Sequence, residues 1–190
     1  LAVTSNQITI PASANKAYVI YKSAAGANPA VNYGEGAGIS DPGFNNGNLS
    51  AWTVAGSGAS VARNTNGQYE LQIGSSTGAT TVSQTLTGLT PGTYYASVYV
   101  ATGGSRKAYL GVNNYGGTDV NTYANSSLWK NYIAADSKKD TMLQRMYVWF
   151  DVPAGSTTAT LYLKTDAGTN VVTFDDVRLE KTTPTANPNN

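Results

Sequence analysis

A β-sandwich is the fold class that this 190-residue sequence predicts, on three observations. Strand-like runs recur between turn signals from Ile39 onward, the rhythm of an antiparallel sandwich. Several of them alternate large apolar residues with small or polar ones at period two, as strands with one buried and one wetter face do. Composition points the same way. Only 12% of the residues are charged, against roughly 25% in an average soluble protein. The 20 Gly and 13 Tyr favour turn-rich β structure over helical bundles.

Taken in order, residues 1–24 carry two short β-like runs, Gln7-Ile8-Thr9-Ile10 and Ala17-Tyr18-Val19-Ile20-Tyr21. Pro11 and the turn-prone Ser13-Ala14-Asn15 separate them, which predicts a hairpin. Residues 25–37 are Ala/Gly/Asn/Pro-rich without apolar periodicity and read as a linker. The main domain spans 38–181, with predicted strands Ser50–Ala55, Ser60–Arg63, Tyr69–Ile73, Thr80–Leu86 and Thr93–Val100. Lys107–Val112, Met146–Val152, Thr158–Lys164 and Val171–Glu180 follow. Leu89-Thr90-Pro91-Gly92-Thr93 is a corner, with Pro where φ near −65° is needed and Gly where φ can turn positive. Asn113–Leu143 breaks the rhythm as a long, aromatic loop. Residues 182–190, with Pro184 and Pro188, lack apolar content and are expected to be a disordered tail.

The inventory removes several function classes. With no His and no Cys, a Cys/His zinc site, a Ser-His-Asp or Cys-His triad and a disulfide framework are excluded. A net charge of +1 offers no electrostatic footprint for nucleic acid or an anionic bilayer. No run approaches the roughly 18 apolar residues of a membrane span. Beginning Leu1-Ala2-Val3 without basic residues, the chain is expected to be a soluble piece of a longer protein, and a monomer. A glycosidase needs two carboxyl groups roughly 5–10 Å apart. Glu35, Glu70 and Glu180 lie apart in the sequence, and Asp136 and Asp140 flank Lys138-Lys139 as a solvated turn, so no catalytic pair is expected. Tyr115-Gly116-Gly117 leads into no helix pattern and makes no phosphate cradle.

Sugar binding needs an aromatic face against the C–H side of a pyranose, with amides, carboxylates or guanidinium groups to pair with hydroxyls. The Asn113–Leu143 stretch carries Tyr115, Tyr123, Trp129 and Tyr132 beside Asn114, Asn125, Asn131 and Asp136, with Arg106 and Lys107 just before it. The alternative is that these rings anchor a long loop as a satellite core. Trp52, Trp149 and Phe150, embedded in strand patterns, are expected in the core.

Two terminal segments carry a resemblance. Asp41-Pro42-Gly43-Phe44-Asn45-Asn46-Gly47-Asn48-Leu49-Ser50-Ala51-Trp52 and Thr173-Phe174-Asp175-Asp176-Val177-Arg178-Leu179 resemble the opening and closing of carbohydrate-binding-module jelly rolls of the galactose-binding-like superfold. In that superfold the two segments lie side by side. The resemblance therefore implies a structural Ca²⁺ on Asp41, Asn46, Asp175 and Asp176, because this hard cation takes about 6–8 oxygen ligands. Asn45 stands where many relatives have Glu, which removes one formal charge. The alternative is that Asp41 starts a turn while Asp175 and Asp176 end a strand.

A narrower match runs through Ala17–Ser23, Asn28-Pro29, Gly34-Glu35-Gly36, the Asp41–Trp52 opening, Tyr123–Tyr132 and Gln144–Phe150. That order resembles the region following the catalytic barrel in bacterial endo-α-N-acetylgalactosaminidases of glycoside hydrolase family 101. These secreted or wall-attached enzymes release galactosyl-β-1,3-GalNAc from Ser/Thr. The resemblance implies that residues 1–24 are terminal strands of a preceding β-domain and that 38–181 are an accessory jelly roll without the barrel's catalytic carboxylates. The implied function is a non-catalytic carbohydrate-binding module on Trp129, Tyr123, Tyr115, Tyr132, Asn125 and Asn131. It would hold galactose- or GalNAc-containing mucin-type glycans near the neighbouring catalytic domain. The alternative is a purely structural sandwich that packs on that domain.

Overall fold

The computed structural model describes residues 38–64, 67–124 and 144–182, together with the backbone of two short strands nearer the N-terminus. The chain divides into two compact units, Leu1–Val31 and Asn32–Asn190. In the first, β1 (Ala2–Thr4) pairs antiparallel with β2 (Gln7–Thr9), placing Val3 opposite Ile8. The Gln7 run is thus a hairpin strand, but its partner is the segment just before it. Only Ser5 and Asn6 separate the two in sequence, so their closure loses less chain entropy than closure across Pro11. The other expected partner, Ala17–Tyr21, lies outside the described residues.

The second unit is a sandwich of two five-stranded antiparallel sheets. Its strands are β3 (Thr53–Ala55), β4 (Ala59–Arg63), β5 (Tyr69–Ile73), β6 (Thr80–Thr87), β7 (Gly92–Thr102), β8 (Ala108–Asn113), β9 (Val120–Ala124), β10 (Gln144–Val152), β11 (Thr158–Thr165) and β12 (Val172–Lys181). The first sheet runs β10-β7-β12-β5-β4 and the second β3-β6-β11-β8-β9. Every predicted run of the main domain is a strand here. β9 is an addition, lying inside the stretch expected to be loop. Its five residues give too short an alternation to read alone, and pairing with β8, from Val120 opposite Val112 to Ala124 opposite Ala108, is what fixes it.

The inner faces meet in one apolar core. Val82, Leu86, Leu110, Val112, Leu161 and Leu163 of the second sheet and Leu71, Ile73, Val98, Val100 and Phe174 of the first are all fully buried. Truncating one such Leu to Ala costs about 2–5 kcal/mol. The opening motif plugs one part of this core. Phe44 and Trp52 are buried with ring centroids 5.4 Å apart, and the Trp52 indole N–H donates to the Asp41 carbonyl at 3.2 Å. The opening loop is tied to the closing strand where the Val177 N–H donates to the Pro42 carbonyl, 3.0 Å away, beside a bulge between Asp175 and Arg178.

Two placements differ from expectation or extend it. Phe150 and Trp52 are core residues, but Trp149 is 51% exposed. In β10 the residues Met146, Val148, Phe150 and Val152 face inward, so Tyr147 and Trp149 take the opposite parity and point out. Arg106 is buried and donates to the carbonyls of Asp166, Ile73, Gly74 and Asn170 and to the hydroxyls of Ser76 and Thr165, at 2.7–3.1 Å. It therefore ties three chain segments together and offers nothing to a ligand.

Candidate functional site

The outer face of the second sheet is built by strand register. Tyr162 on β11 lies opposite Gly111 on β8 and Ser83 on β6, and Lys164 opposite Tyr109 and Thr81. Across the next pair, Tyr109 lies opposite Tyr123 and Gly111 opposite Asn121. Inward parity belongs to Leu161, Leu163, Leu110 and Val112, so these partners share the outer surface. On β11 this follows directly from Thr160-Leu161-Tyr162-Leu163-Lys164, whose leucines must be buried.

Gly111 shapes the surface. A Cβ there would sit 2.1 Å from Cζ and 2.3 Å from the hydroxyl oxygen of Tyr162, so the ring lies flat across the glycine backbone. Its hydroxyl donates to Asp119 at 2.9 Å, and the Asn121 amide donates to the same carboxylate oxygen at 3.2 Å. Burial, reinforced by Asp119, pushes the Tyr162 phenol up to about 12. Because the ring leans toward β8, the side toward β6 and β3 stays low, carrying Ser83, Thr81 and Thr53. Beyond Tyr162, Tyr109 and Tyr123 pack with centroids 5.7 Å apart. Tyr123 is 43% exposed, and the Tyr109 hydroxyl donates to Asp166 at 3.1 Å. Burial first, then Asp166, raises the Tyr109 phenol above its ordinary value. The result is an aromatic rise beside a low hydroxyl-bearing floor, with Asp119 and Asn121 at one end and Asp166 at the other. Such a surface offers an apolar ring face and hydrogen-bonding groups together, the two kinds of group that carbohydrate recognition uses.

Of the residues expected to bind sugar, Tyr123 stands on this face. Tyr115 does not: it is buried, its ring packs on Phe150 with centroids 5.1 Å apart, and its hydroxyl donates to the Thr118 carbonyl. It anchors the β8–β9 connection, as the alternative for the loop aromatics held. Asn114 donates to Thr160 at 3.2 Å. Trp129, Tyr132, Asn125, Asn131 and Asp136 lie outside the described residues. Tyr109, Tyr162, Asp119 and Asn121 were not singled out by sequence, although the Leu161/Leu163 alternation already assigns Tyr162 to the polar face.

The four expected metal ligands do not come together. The Asp176 carboxylate receives Arg145 and Arg178 at 2.7 Å each, which neutralises it and removes it from any donor set. The Asp41 carboxylate accepts the Asn46 backbone N–H at 3.3 Å in a turn of its own loop, and the Asn46 side chain is exposed. Asp175 is different. Its carboxylate faces the opening loop beside Gly43, and burial pushes it up to about 6, with the charges of Asp176 and Glu70 adding to the rise. Among the described residues no three acidic side chains form a metal-holding group. The chemistry that fits a hard cation is narrower: the oxygens of Asp175, which accepts the Asp176 N–H, and of the buried Glu70, which accepts the Gln72 amide, neither of them in an ion pair among the described residues.

A second group of rings lies on the outer face of the first sheet. Trp149 and Tyr147 are 51% and 55% exposed, and Tyr95 packs against both at centroid distances of 5.0 and 5.7 Å. Next to them Arg145 stacks on Tyr99, 4.0 Å above its centroid.

Comparison with known proteins places this architecture. Residues 39–174 match the family model described as endo-alpha-N-acetylgalactosaminidase, domain 5. A Renibacterium salmoninarum protein assigned to the endo-alpha-N-acetylgalactosaminidases is 34% identical over 183 residues, covering 94% of this chain and 12% of that protein. The keratan-sulfate endo-1,4-beta-galactosidase of Sphingobacterium multivorum is 34% identical over 144 residues, 73% of this chain and 30% of that one. The chain thus spans a small part of the relatives it matches. Among solved structures, a family 61 carbohydrate-binding module in complex with β-1,4-galactotriose superposes with a TM-score of 0.59 at 16% identity, over 76% of this chain and 98% of that one. The jelly roll with its plugged opening loop and the family match agree: this chain belongs to the endo-alpha-N-acetylgalactosaminidase family, as its domain 5, with the fold of a carbohydrate-binding module.

Proposed function

We propose that this domain binds galactose- and GalNAc-containing ends of mucin-type O-glycans on the outer face of the second sheet. By doing so it holds substrate beside the catalytic domain of a longer, extracellular protein that is secreted or wall-attached. The observation that carries the reading is Tyr162, laid flat on Gly111 with its hydroxyl fixed by Asp119, next to the exposed ring of Tyr123. A ring beside hydrogen-bonding groups is the combination that supports a galactoside reading. The galactotriose of the structural neighbour, and the relatives' names, belong to the same sugar class. A shallow site in water gains little net free energy per hydroxyl exchanged, so affinity is expected near the millimolar range, about −4 kcal/mol. Tethering raises the effective concentration to compensate.

Calorimetric titration of the 190-residue chain, a monomer on this reading, with galactosyl-β-1,3-GalNAc tests the proposal. Tyr162→Ala is expected to weaken binding about tenfold, the loss of one stacked ring and its oriented hydroxyl. Trp149→Ala, on the opposite face, leaves affinity unchanged. Loss through Trp149 but not Tyr162 would refute the placement.

A second reading, a structural module packed on its neighbouring domain, is favoured by the exposed Trp149, Tyr147 and Tyr95 cluster. It predicts no heat of binding with any galactoside. For the structural cation we propose Ca²⁺ held by Asp175 and Glu70. Bound there, it would neutralise two acidic side chains on the neighbouring strands β5 and β12 and so tie the closing strand to β5.

A further inference from the structure

We infer that the glycan bound on the second sheet is anionic, carrying a sulfate ester or a sialic-acid carboxylate that docks between Lys107 and Lys164. The inference rests on the glycan-binding reading of that face and adds the charge of its ligand.

Both lysines are on the same surface as Tyr162. The Lys107 ammonium lies 4.6 Å above the Tyr123 ring centroid, and the Lys164 ammonium 5.4 Å above that of Tyr109. Because Tyr109 and Tyr123 pack side by side, the two cations bracket one aromatic pair. Among the described residues neither makes an ion pair, and the ion pairs there all belong to Asp176 on the other sheet. Asp166, just past the end of β11, borders the same end of the surface and accepts the Tyr109 hydroxyl, so one carboxylate stands against the two lysines there. At the other end of the surface Asp119 accepts the Tyr162 hydroxyl and the Asn121 amide.

With two lysines against Asp166, the end around the tyrosine pair is net cationic, while Asp119 makes the end beyond Tyr162 anionic. Tyr162 and Lys164 are two residues apart on one strand, roughly 7 Å, about one sugar ring. A neutral galactosyl residue on Tyr162 would place a neighbouring acidic substituent at the lysines. Beside Lys107 a cavity of about 290 Å³ opens, bordered also by Ser105, Arg106, Asp166 and Thr169, and leaves room for the substituent at the Lys107 end.

The experiment titrates the 190-residue chain with galactosyl-β-1,3-GalNAc and with its sulfated and sialylated forms, at about 20 mM and about 500 mM salt. At low salt at least one acidic form is expected to bind about three- to tenfold tighter than the neutral disaccharide, the combined effect of two exposed ion pairs. The preference should vanish at high salt and fall to about one in Lys107→Gln/Lys164→Gln. Tighter binding of the sulfated form alone assigns the site to sulfate, and of the sialylated form alone to carboxylate. Equal or weaker binding of both acidic forms, with the neutral sugar still bound through Tyr162, overturns this inference alone. Absence of binding by all three overturns the glycan reading as well. The salt dependence of the unsubstituted chain keeps the test independent of how the double variant folds.

Discussion

Replacing Gly111 with Ala probes the surface through a single methyl group. That Cβ would lie 2.1, 2.3 and 2.6 Å from Cζ, the hydroxyl oxygen and Cε1 of Tyr162, where ordinary contact begins near 3.4 Å. The ring end must retreat by more than about 1 Å, because carbon atoms cannot share that space. The atoms it meets are the far end of a side chain, so the strand itself need not move. Losing the 2.9 Å hydrogen bond to Asp119 costs about 0.5–1.5 kcal/mol, while Ala in a strand interior gains about 0.5–1 kcal/mol over Gly. Net stability should stay within about 1 kcal/mol, a shift in Tm of roughly 2–4 °C. The site should not survive so well. With its ring lifted and its bond to Asp119 broken, the Tyr162 phenol, held at about 12, moves back toward its ordinary value of 10.0. Galactoside affinity should fall about tenfold. ¹³C NMR of the tyrosine Cζ atoms across alkaline pH reads the first effect and titration with the disaccharide the second. A Tyr162 titration still near 12 with unchanged affinity would refute the claim that Gly111 positions this ring.

Arg106→Met leaves four carbonyls and two hydroxyls without their buried donor, and should lower stability by about 3–5 kcal/mol in urea unfolding. A loss below about 1 kcal/mol would contradict the tie described above. Calcium at 100 times its dissociation constant should stabilise the chain by about 2.7 kcal/mol, an increment abolished by chelator and absent in Asp175→Asn. An unchanged melting midpoint would rule out the cation at Asp175 and Glu70. The phenols of Tyr109, Tyr115 and Tyr162 are all raised above 10.0, so the folded chain keeps protons that the unfolded chain releases. Stability should therefore be fully present below pH 10 and fall as pH rises through about 12, in melting scans at stepped alkaline pH. A flat profile across that window would contradict the tyrosine environments.

Fold and site were unequally legible in the sequence. Strands such as Tyr69–Ile73 and Thr158–Thr165 announce themselves because a local alternation and flanking turns suffice. Phe44 and Trp52 were legible as a motif, and the structure supplies its reason: two rings and an indole N–H that close the sandwich over Asp41. Trp149 was misplaced because both parities of Arg145-Met146-Tyr147-Val148-Trp149-Phe150 carry large apolar groups, and only pairing with β7 decides which set is buried. Asp176 looked like a free ligand because its two partners include Arg145, thirty-one residues away. The tyrosine surface assembles β8, β9 and β11, brought together by long-range pairing that no local pattern records. Tyr115 was misassigned for a related reason, since its burial depends on Phe150 from β10.

Amide chemical-shift mapping of the chain during titration with galactosyl-β-1,3-GalNAc addresses the central claim directly. The largest shifts are expected at Tyr109, Gly111, Asn121 and Tyr162 on the outer surface of the second sheet. Shifts clustered instead around Tyr147 and Trp149, or none at about 10 mM sugar, would contradict it.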